Sequence, residues 1–326
     1  MIVELDLSLF NNDLNFQKLN HLFVFFETGK HIIYSNDDIS QTQWILSNNH
    51  YQSFCEMVYK DSVYMNKKDV QLKIEHENDI SSKIYSLEDA YIYIQNNLII
   101  FVENATSDRL FLNSIFKNFM PECEKINFAF RNRWIELNGP GGKNEIKKAI
   151  NNELRKFRTE KSCNDIYLRA IVIIDSDKKF PDDDIGNSQI EIEAYCLEKK
   201  ISCHILNKRE IENYIPVEAF QELSNHKIVE EYKKLTNDQS SFYDLEKGFK
   251  NKNLNAHDEQ IQVLFKNIGT KEEGILRRGF ESIGDFNPKQ QLPLLFNHKN
   301  TNRETLTNKC GNNELLDIIA MINKLL

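Results

Sequence analysis

The middle of the chain alternates between short apolar runs and helical segments. Four apolar runs of strand length lie at residues 98–102, 134–137, 170–174 and 203–206. Helices are predicted after the first three runs, at residues 107–118, 144–157 and 189–199. A fourth helix is expected to begin near residue 209. Strands that are apolar on both faces and separated by helices are typical of a doubly wound α/β domain with a parallel sheet.

The two flanks of this domain have weaker patterns. Residues 1–96 are predicted as a mixed α+β region of unknown role, with strands at 21–26 and 70–74 and helices at 41–59 and 86–95. Its last helix opens with Ser86, which is expected to be the N-cap, followed by acids in the first turn. Residues 221–326 are predicted as a helical region, with segments at 227–235, 257–266, 272–281 and 314–325. The α/β domain therefore spans residues 97–220.

Composition and charge restrict the classes of function. The chain has 326 residues, of which 40% are hydrophobic and 28% charged, as in an ordinary folded protein of about two domains. Its 41 Lys and Arg against 49 Asp and Glu give a net charge of −8. A chain of this charge does not coat DNA by neutralising phosphates along its whole surface. Any contact with nucleic acid is expected at a local site.

The sequence shows no signal for membrane insertion, secretion or disulfide bonds. No apolar run approaches the roughly 20 residues that cross a bilayer, and residues 1–13 lack the features of a signal peptide. We therefore expect no membrane contact and a cytoplasmic location. The six cysteines contain no Cys-x-x-Cys pair, which argues against a zinc knuckle and a disulfide framework and favours reduced thiols.

Acidic side chains stand where the predicted strands end. Glu103 follows the first strand, Asp175 and Asp177 follow the third, and Glu212 follows the fourth. Because the carboxyl ends of parallel strands share one edge of a sheet, these carboxylates are expected to converge. Their oxygens suit Mg²⁺ or Mn²⁺ better than Zn²⁺. Such a metal ion can polarise a phosphodiester and activate a water molecule.

Each of these acids also has a simpler structural interpretation. Asp175 and Asp177 share a face if the backbone is extended, but an Asp-x-Asp pair also occurs in solvated turns. Asp108 could cap the first helix or take part in metal binding. Glu103 ends a wholly apolar strand, where a partly buried carboxylate is costly without a partner. Between Glu210 and Glu212, the second is the preferred metal ligand.

A glycine-rich turn follows the second strand. Gly139, Gly141 and Gly142 allow a tight turn and close approach of the backbone, and their amides precede a helix N-terminus, which attracts phosphate. The spacing is neither Gly-x-Gly-x-x-Gly nor that of a P-loop, so it gives little support to NAD or ATP binding. A turn that simply needs glycine explains the segment as well.

Basic residues near these strand ends are candidates for phosphate contacts. Residues 143–161, which include Lys143 and Lys147, carry seven basic and three acidic side chains, a net charge of +4. This segment could follow a phosphate backbone or form a solvated helix face. After the fourth strand, Lys208 or Arg209 could supply positive charge to a phosphoryl transition state.

Four segments together resemble a TOPRIM domain, the topoisomerase–primase metal-binding fold. The form it resembles is that of overcoming-lysogenization-defect (OLD) nucleases and of stand-alone TOPRIM proteins in bacterial phage defence. The matching segments are the glutamate motif at 101–108, the glycine turn at 138–142, the Asp-x-Asp motif at 173–177 and the Glu-Asn-Tyr segment at 208–215. The resemblance covers about residues 98–220. Asn104 departs from it, since the family usually has glycine there.

The resemblance implies Mg²⁺- or Mn²⁺-dependent cleavage of DNA or RNA. Glu103 would act as base or metal ligand, and Asp175 and Asp177 as ligands. OLD nucleases carry an ABC-type ATPase in the same polypeptide, whereas this chain has no ATPase motif. An ATPase would therefore be a separate partner, and the chain is expected to be the effector subunit of an anti-phage defence system.

Other functions remain open at this stage. A TOPRIM scaffold without catalysis would only bind an ATPase or nucleic acid. A glycosyltransferase using Asp-x-Asp would leave Glu103 and Glu212 without roles. A haloacid-dehalogenase-type phosphatase does not fit, because Lys179 stands where it needs Thr or Val, and topoisomerases and primases need larger flanking domains. The helices at 272–281 and 314–325 could contact a partner or a second copy of the chain, or pack into the core.

Overall fold

Eight β-strands form two four-stranded sheets in the computed structural model, which describes residues 1–157, 165–223 and 226–326. All neighbouring strands in both sheets are parallel. The strands are β1 (Ile2–Leu5), β2 (Ile32–Tyr34), β3 (Leu72–Glu75), β4 (Ile84–Ser86), β5 (Leu98–Phe101), β6 (Ile135–Asn138), β7 (Ala170–Ile174) and β8 (Ser202–Ile205). The protein is therefore an α/β protein.

Helices surround both sheets, and none in the described ranges is long and apolar enough to cross a membrane. Those of the first 157 residues are α1 (Phe16–Glu27), α2 (Gln43–Ser47), α3 (Gln52–Ser62), α4 (Leu87–Gln95), α5 (Ser107–Asn118), α6 (Glu124–Arg131) and α7 (Lys143–Lys156). Those of the remainder are α8 (Asn187–Glu198), α9 (Lys227–Lys234), α10 (Asn237–Phe242), α11 (Glu259–Leu264), α12 (Thr270–Leu276), α13 (Pro288–Gln291), α14 (Arg303–Cys310) and α15 (Glu314–Asn323).

The N-terminal region differs from the mixed α+β prediction, because its sheet is wholly parallel in the order β2-β1-β3-β4. The strand predicted at residues 21–26 is wrong, since these residues belong to α1. That helix buries Leu19, Leu22, Phe23 and Phe26, which recur at helical spacing. The strand at 70–74 and the helices at 41–59 and 86–95 are confirmed in outline. Ser86 caps α4 by accepting a hydrogen bond from the backbone N–H of Asp89.

The second sheet contains all four strands predicted for the α/β domain, in the order β6-β5-β7-β8. The helices predicted between them are confirmed as α5, α7 and α8, while α6 was not predicted. The α-helix expected near residue 209 is wrong, because a 3-10 helix spans Ile211–Tyr214 instead. Ile215, which precedes Pro216, has an extended backbone that ends it.

The order of these strands creates a crevice between β5 and β7. From β5 the chain passes to β6 on one side, and then returns across β5 to β7 on the other. Phe101 pairs with Val172 near the carboxyl ends of the two strands. In open α/β sheets, ligands bind at such a reversal of strand order, outside the carboxyl ends of the strands. The fold thus directs attention to the residues that follow β5 and β7.

The hydrophobic core of the described residues has three parts. One lies under the N-terminal sheet, a second lies between the second sheet and helices α7 and α8, and a third joins the other face of that sheet to the C-terminal helices. The third part contains residues from both sides of the domain boundary predicted at residue 220. That boundary therefore does not separate two hydrophobic cores. Of the two alternatives for the helix at 314–325, core packing is confirmed, because α15 buries Leu315, Ile318, Ile319 and Ile322.

A buried carboxylate holds α15 against the end of β8. Glu314 is 2% exposed and accepts hydrogen bonds from the backbone N–H of Asn207 (2.7 Å) and from the hydroxyl of Tyr214. His204 Nε2 lies 2.9 Å from Oε1 of Glu314, the same oxygen that Asn207 reaches. Three polar groups from residues 204–214 thus converge on one buried side chain. Glu314 therefore fixes the loop that leads from β8 into the candidate site.

Candidate active site

Glu103 and Asp175 lie next to each other at the crevice between β5 and β7. The backbone N–H of Asp175 donates a 3.0 Å hydrogen bond to Glu103 Oε1. Asp175 Oδ1 in turn accepts a 3.0 Å hydrogen bond from the backbone N–H of Ile211, which follows β8. The side chain of Glu103 is 19% exposed. The predicted convergence of these two carboxylates is therefore present in the structure.

These carboxylates are held where ionisation is unfavourable. Burial raises the pKa of Glu103 to about 7, and the negative charges of Asp177 and Asp108 act in the same direction. Burial also raises the pKa of Asp175 well above its usual range, followed by the charges of Glu103 and Glu212. Paired carboxylates with raised pKa values are common at sites that bind cations or move protons. Their position in a crevice makes them a candidate active site.

Lys143 is the counter-ion of this site. It is the first residue of α7, and its Nζ lies 3.4 Å from Glu103 Oε1 and forms an ion pair with Asp177 Oδ2. Burial alone would lower the pKa of Lys143, but the charges of Glu103 and Asp177 outweigh it and raise the pKa. The sequence predicted a phosphate contact for Lys143. In the structure it neutralises carboxylates, and we call Glu103, Asp175, Asp177 and Lys143 the carboxylate site.

Asp177 joins the site by a different route from the one predicted. The strand ends at Ile174, and Asp177 has a left-handed backbone (φ 56°), so the alternation of an extended chain does not apply. Its backbone N–H donates to Arg209 O at 2.9 Å, and its Oδ2 accepts from Gln189 Nε2 at 3.0 Å. Gln189 is 1% exposed and was not predicted. A single glutamine at the start of a helix is not part of a recognisable motif, so its role could not be predicted from the sequence.

Asp108 and Glu212 lie beside the carboxylate site rather than at its centre. Asp108 Oδ2 accepts from the backbone N–H of Asn104 and Oδ1 from the Ser107 hydroxyl, both at 3.0 Å. Asp108 thus holds the turn after β5, but it does not cap α5 as predicted, because it lies inside the helix and Thr106 is at the N-cap position. Glu212 is half-buried, and burial, followed by the charge of Glu210, raises its pKa to about 8.

The glycine turn packs directly on the loop that carries Glu103. A Cβ at Gly139 would lie 2.1 Å from the backbone nitrogen of Ala105, so no larger residue fits there. Gly141 and Gly142 have φ of 97° and 144°, and the N–H of Gly141 donates to Glu103 O at 3.1 Å. The Gly141 amide is therefore not free for the predicted phosphate contact. Asn104 has no positive φ, so its backbone does not require glycine at this position.

Two of the lysines that were predicted to contact phosphate do not lie at the carboxylate site. Lys147 Nζ pairs with Glu191 at 2.6 Å on the surface, and residues 158–161 of the predicted basic segment lie outside the described residues. Lys208 is not brought to the carboxylates: it is 5% exposed, contacts the hydroxyl of Ser241 and lies over the Tyr214 ring. The catalytic role predicted for Lys208 is therefore wrong, because the C-terminal helices cover its ammonium group.

Arg209 leads from the carboxylate site into a basic pocket of about 240 Å³. Its guanidinium bonds to Glu210 at 3.2 Å and to Asp244 at 3.0 Å. We define the basic pocket by its cations and aromatic walls, which are Lys179, Arg209, Lys250, Lys252, Phe242, Tyr243, Phe249 and Phe265. Asp244 and Asp258 also line it. No motif in the sequence predicted this pocket, since most of its lining comes from the helical region after residue 240.

The carboxylate site is not a preformed metal cage. Across the described ranges, no group of three or more His, Cys, Asp or Glu side chains is arranged to hold a metal ion. The donors themselves are hard oxygens of the kind that Mg²⁺ and Mn²⁺ prefer. The ammonium of Lys143 already compensates part of their charge.

Comparison with known proteins identifies no relative: no protein-family model, no curated protein and no solved structure matches this chain. The function must therefore be argued from the geometry and chemistry of the site.

Proposed function

We propose that the protein is a Mg²⁺- or Mn²⁺-dependent nuclease with a TOPRIM-like site. The observation that carries the proposal is the pair Glu103 and Asp175, which meet at the crevice of a parallel sheet and both have raised pKa values. A fold tolerates such a destabilising arrangement when a function requires it. Phosphodiester hydrolysis is the reaction class that best uses carboxylates together with a hard cation.

The residues of the carboxylate site fit a divalent cation in their chemistry. Glu103, Asp175 and Asp177 would hold the ion, and its positive charge would favour the ionised carboxylates that burial disfavours. The bound ion would supply Lewis acidity toward a phosphate oxygen and lower the pKa of a water molecule. Lys143 supplies a second positive charge, one that does not depend on the metal ion. It can orient a phosphate oxygen beside Glu103.

The basic pocket supports nucleic acid as the substrate. Its four cations exceed its two acids, whereas the whole chain is negative. Single-stranded nucleic acid is commonly bound by cations that follow its phosphates, and Lys179, Lys250 and Lys252 are exposed. Lys179 is two residues beyond Asp177, so a strand in the pocket would bring a phosphodiester toward the carboxylate site.

The net charge of −8 also bears on how the protein is used. Long-range repulsion slows the association of an acidic protein with a polyanion. We therefore propose that a separate ABC-type ATPase brings the protein to DNA or RNA, as the effector of an anti-phage defence system. This partner follows from the resemblance to OLD-type nucleases, since the chain itself has no ATPase motif.

Cleavage assays test the proposal directly. The purified protein, alone and with the product of the adjacent reading frame, is incubated with plasmid, single-stranded DNA and RNA in Mg²⁺ or Mn²⁺. We expect cleavage that EDTA stops and that Glu103→Ala and Asp175→Ala abolish. If no combination cuts, or if both variants cut as fast as the wild type, the protein is not this kind of nuclease.

A non-catalytic scaffold is the second candidate, and the ion pairs of Lys143 favour it. In a scaffold, Lys143 would permanently neutralise Glu103 and Asp177, and no metal would be needed. Such a protein would bind its partner ATPase equally well in the wild type and in the carboxylate variants. A glycosyltransferase has less support, because Asp175 and Asp177 do not share one extended face.

Charge reversal in the basic pocket should weaken nucleic-acid binding. The variant Lys179→Glu/Lys250→Glu/Lys252→Glu removes three exposed cations, so we expect at least a tenfold loss of affinity for single-stranded DNA or RNA. The slope of affinity against salt should fall by roughly 0.7 for each phosphate of a single strand that the variant no longer neutralises. Fluorescence anisotropy at several salt concentrations measures both quantities.

A matched control distinguishes the effect of the basic pocket on binding from the effect of net charge. Lys233→Glu/Lys266→Glu/Lys271→Glu makes the same change in charge at three exposed lysines outside the pocket. We expect this variant to bind nearly as tightly as the wild type. Equal losses in the two variants would mean that the pocket has no special part in binding.

A further inference from the structure

Three cations that the proposed nuclease does not use meet at the opposite edge of the second sheet. Arg169 directly precedes β7 and is 2% exposed, and Lys30, which follows α1, is 9% exposed. With the more exposed Lys125 of α6, they line a cavity of about 30 Å³, beside Phe128 and Trp134. We call this the cationic cavity. The length of β7, roughly 16 Å for five residues, separates it from the carboxylate site.

The cations of this cavity bond to main-chain carbonyls instead of carboxylates. These carbonyls lie at the C-terminal ends of α4 and α15: Arg169 donates to Asn96 (2.8 Å) and Leu325, Lys30 to Gln95 (2.6 Å), and Lys125 to Asn323 (3.4 Å). Each helix end carries about half a negative charge. Two helix ends therefore offset about one of the three positive charges, and about two remain.

No Asp or Glu side chain compensates the remainder within the described ranges. None lies within 4 Å of a side-chain nitrogen of Lys30, Lys125 or Arg169. Burial and then the charge of Arg169 lower the pKa of Lys30 to about 8, and the charge of Glu136 offsets only part of this shift. Lys30 and Arg169 are thus buried beside each other, with the exposed Lys125 next to them, and no Asp or Glu side chain in the described ranges pairs with any of the three.

Arg169 also has an unused donor. Its Nε is buried and has no hydrogen-bond partner in the part of the chain that the structure describes. Buried donors are almost always satisfied, and a buried guanidinium without an anion is costly. Because Arg169 lines the cavity, a ligand there could supply both the missing acceptor and the missing negative charge.

We propose that the cationic cavity binds a phosphate group. A single water needs about 10–15 Å³ of such space, so about 30 Å³ has room for two or three waters or for one small oxyanion. Arg and Lys are the side chains that bind phosphate most often, Arg through its planar fork and Lys as a point charge. The phosphate is either inorganic phosphate or the terminal phosphate of a nucleotide, whose remainder would lie over Phe128 and Trp134.

A phosphate in this cavity would connect parts of the chain that are distant in sequence. Lys30 belongs to the N-terminal region, Arg169 to the second sheet, and Leu326, which also lines the cavity, follows α15. The ligand would strengthen the contact between the N-terminal region and the sheet that carries the carboxylate site. It would do so whether or not the protein is a nuclease.

Isothermal titration calorimetry with sodium phosphate at constant ionic strength tests this site. We expect one phosphate per chain for the wild type, and at least tenfold weaker binding for Lys125→Gln, which changes the most exposed of the three cations. Arg131→Gln removes the same charge from an exposed position of the same helix and should bind like the wild type. Phosphate should also raise the Tm of the wild type more than that of Lys125→Gln.

Two further ligands identify the source of the phosphate. Tighter binding of AMP or ATP than of inorganic phosphate would assign the site to a nucleotide, and binding of inorganic phosphate alone would assign it to the free ion. The proposal is overturned if the wild type binds neither, if Lys125→Gln binds as tightly as the wild type, or if Arg131→Gln is weakened equally.

Discussion

The Glu103→Gln variant is expected to unfold at a temperature several degrees higher than the wild type at pH 8, although it should lose cleavage. Burial raises the pKa of Glu103 to about 7, so its ionised form is disfavoured in the folded protein. Glutamine keeps an oxygen that can accept the hydrogen bond from the Asp175 N–H, but it carries no charge. The substitution thus removes a charge that burial and the acids Asp177 and Asp108 disfavour, and these effects together outweigh the lost attraction to Lys143.

The pH dependence has a definite sign. Between the unfolded pKa of 4.5 and the folded pKa of about 7, the native protein binds more protons at Glu103 than the unfolded chain does. Stability therefore falls as pH rises through this window, and the loss is complete above about pH 7. A shift of this size corresponds to about 3 kcal/mol. The advantage of the variant should accordingly be largest at pH 8 and much smaller at pH 5.

Thermal melts at pH 5 and pH 8 measure this effect, with Glu191→Gln as the control. Glu191 is exposed, and its ion pair with Lys147 lowers its pKa, so its neutralisation should slightly destabilise the protein at pH 8. Mg²⁺ should raise the Tm of the wild type more than that of Glu103→Gln. A Glu103→Gln variant that melts below the wild type at pH 8 would show that Glu103 is stabilised as an ion.

The Gly139→Ala variant is expected to lose more than a hundredfold in cleavage rate. Its Cβ would lie 2.1 Å from the nitrogen and 2.7 Å from the Cα of Ala105, and neither backbone atom can rotate away. The loop after β5 must therefore shift, and Glu103 shifts with it. A displacement of about 1 Å in a catalytic group can cost about a hundredfold in rate. Overpacking of this kind also costs about 1–3 kcal/mol of stability.

Gly274→Ala is the matched control for this substitution. Gly274 lies inside α12, has nothing within 4 Å of the added Cβ, and should become about 0.5–1 kcal/mol more stable as alanine. Cleavage rates and melting temperatures of both variants, measured side by side, distinguish a local clash from a general effect of alanine. Cleavage by Gly139→Ala within twofold of the wild type would mean that the glycine turn does not position Glu103.

The second sheet could be predicted because its strands are apolar on both faces and bounded by helices. Glu103 and Asp175 could be placed together for the same reason, since parallel strands bring their carboxyl ends to one edge. The N-terminal sheet could not be predicted in full. β1, β2 and β4 have only three or four residues each, too few to show the alternation of apolar and polar residues that is typical of a strand. α1 has apolar residues on much of its surface, so part of it resembles a buried strand.

The roles of the lysines depend on distances that no local pattern encodes. Lys143 and Lys208 both follow a predicted strand and both precede helical turns, but only Lys143 reaches the carboxylates. The difference arises because the C-terminal helices cover Lys208, and their packing is not visible in the residues around it. The positive φ of Asp177 is a similar case, since aspartate adopts this conformation without a glycine to signal it.

The pairing of β5 with β7 also determines when the carboxylate site can form during synthesis. Ile99 pairs with Ala170, so the intervening residues must be made before the two strands can meet. The N-terminal sheet has its own core and uses strands that end at residue 86, which allows it to fold first. A nascent chain that has not passed β7 therefore carries Glu103 without its partner. The site is complete only after roughly the first half of the chain has left the ribosome.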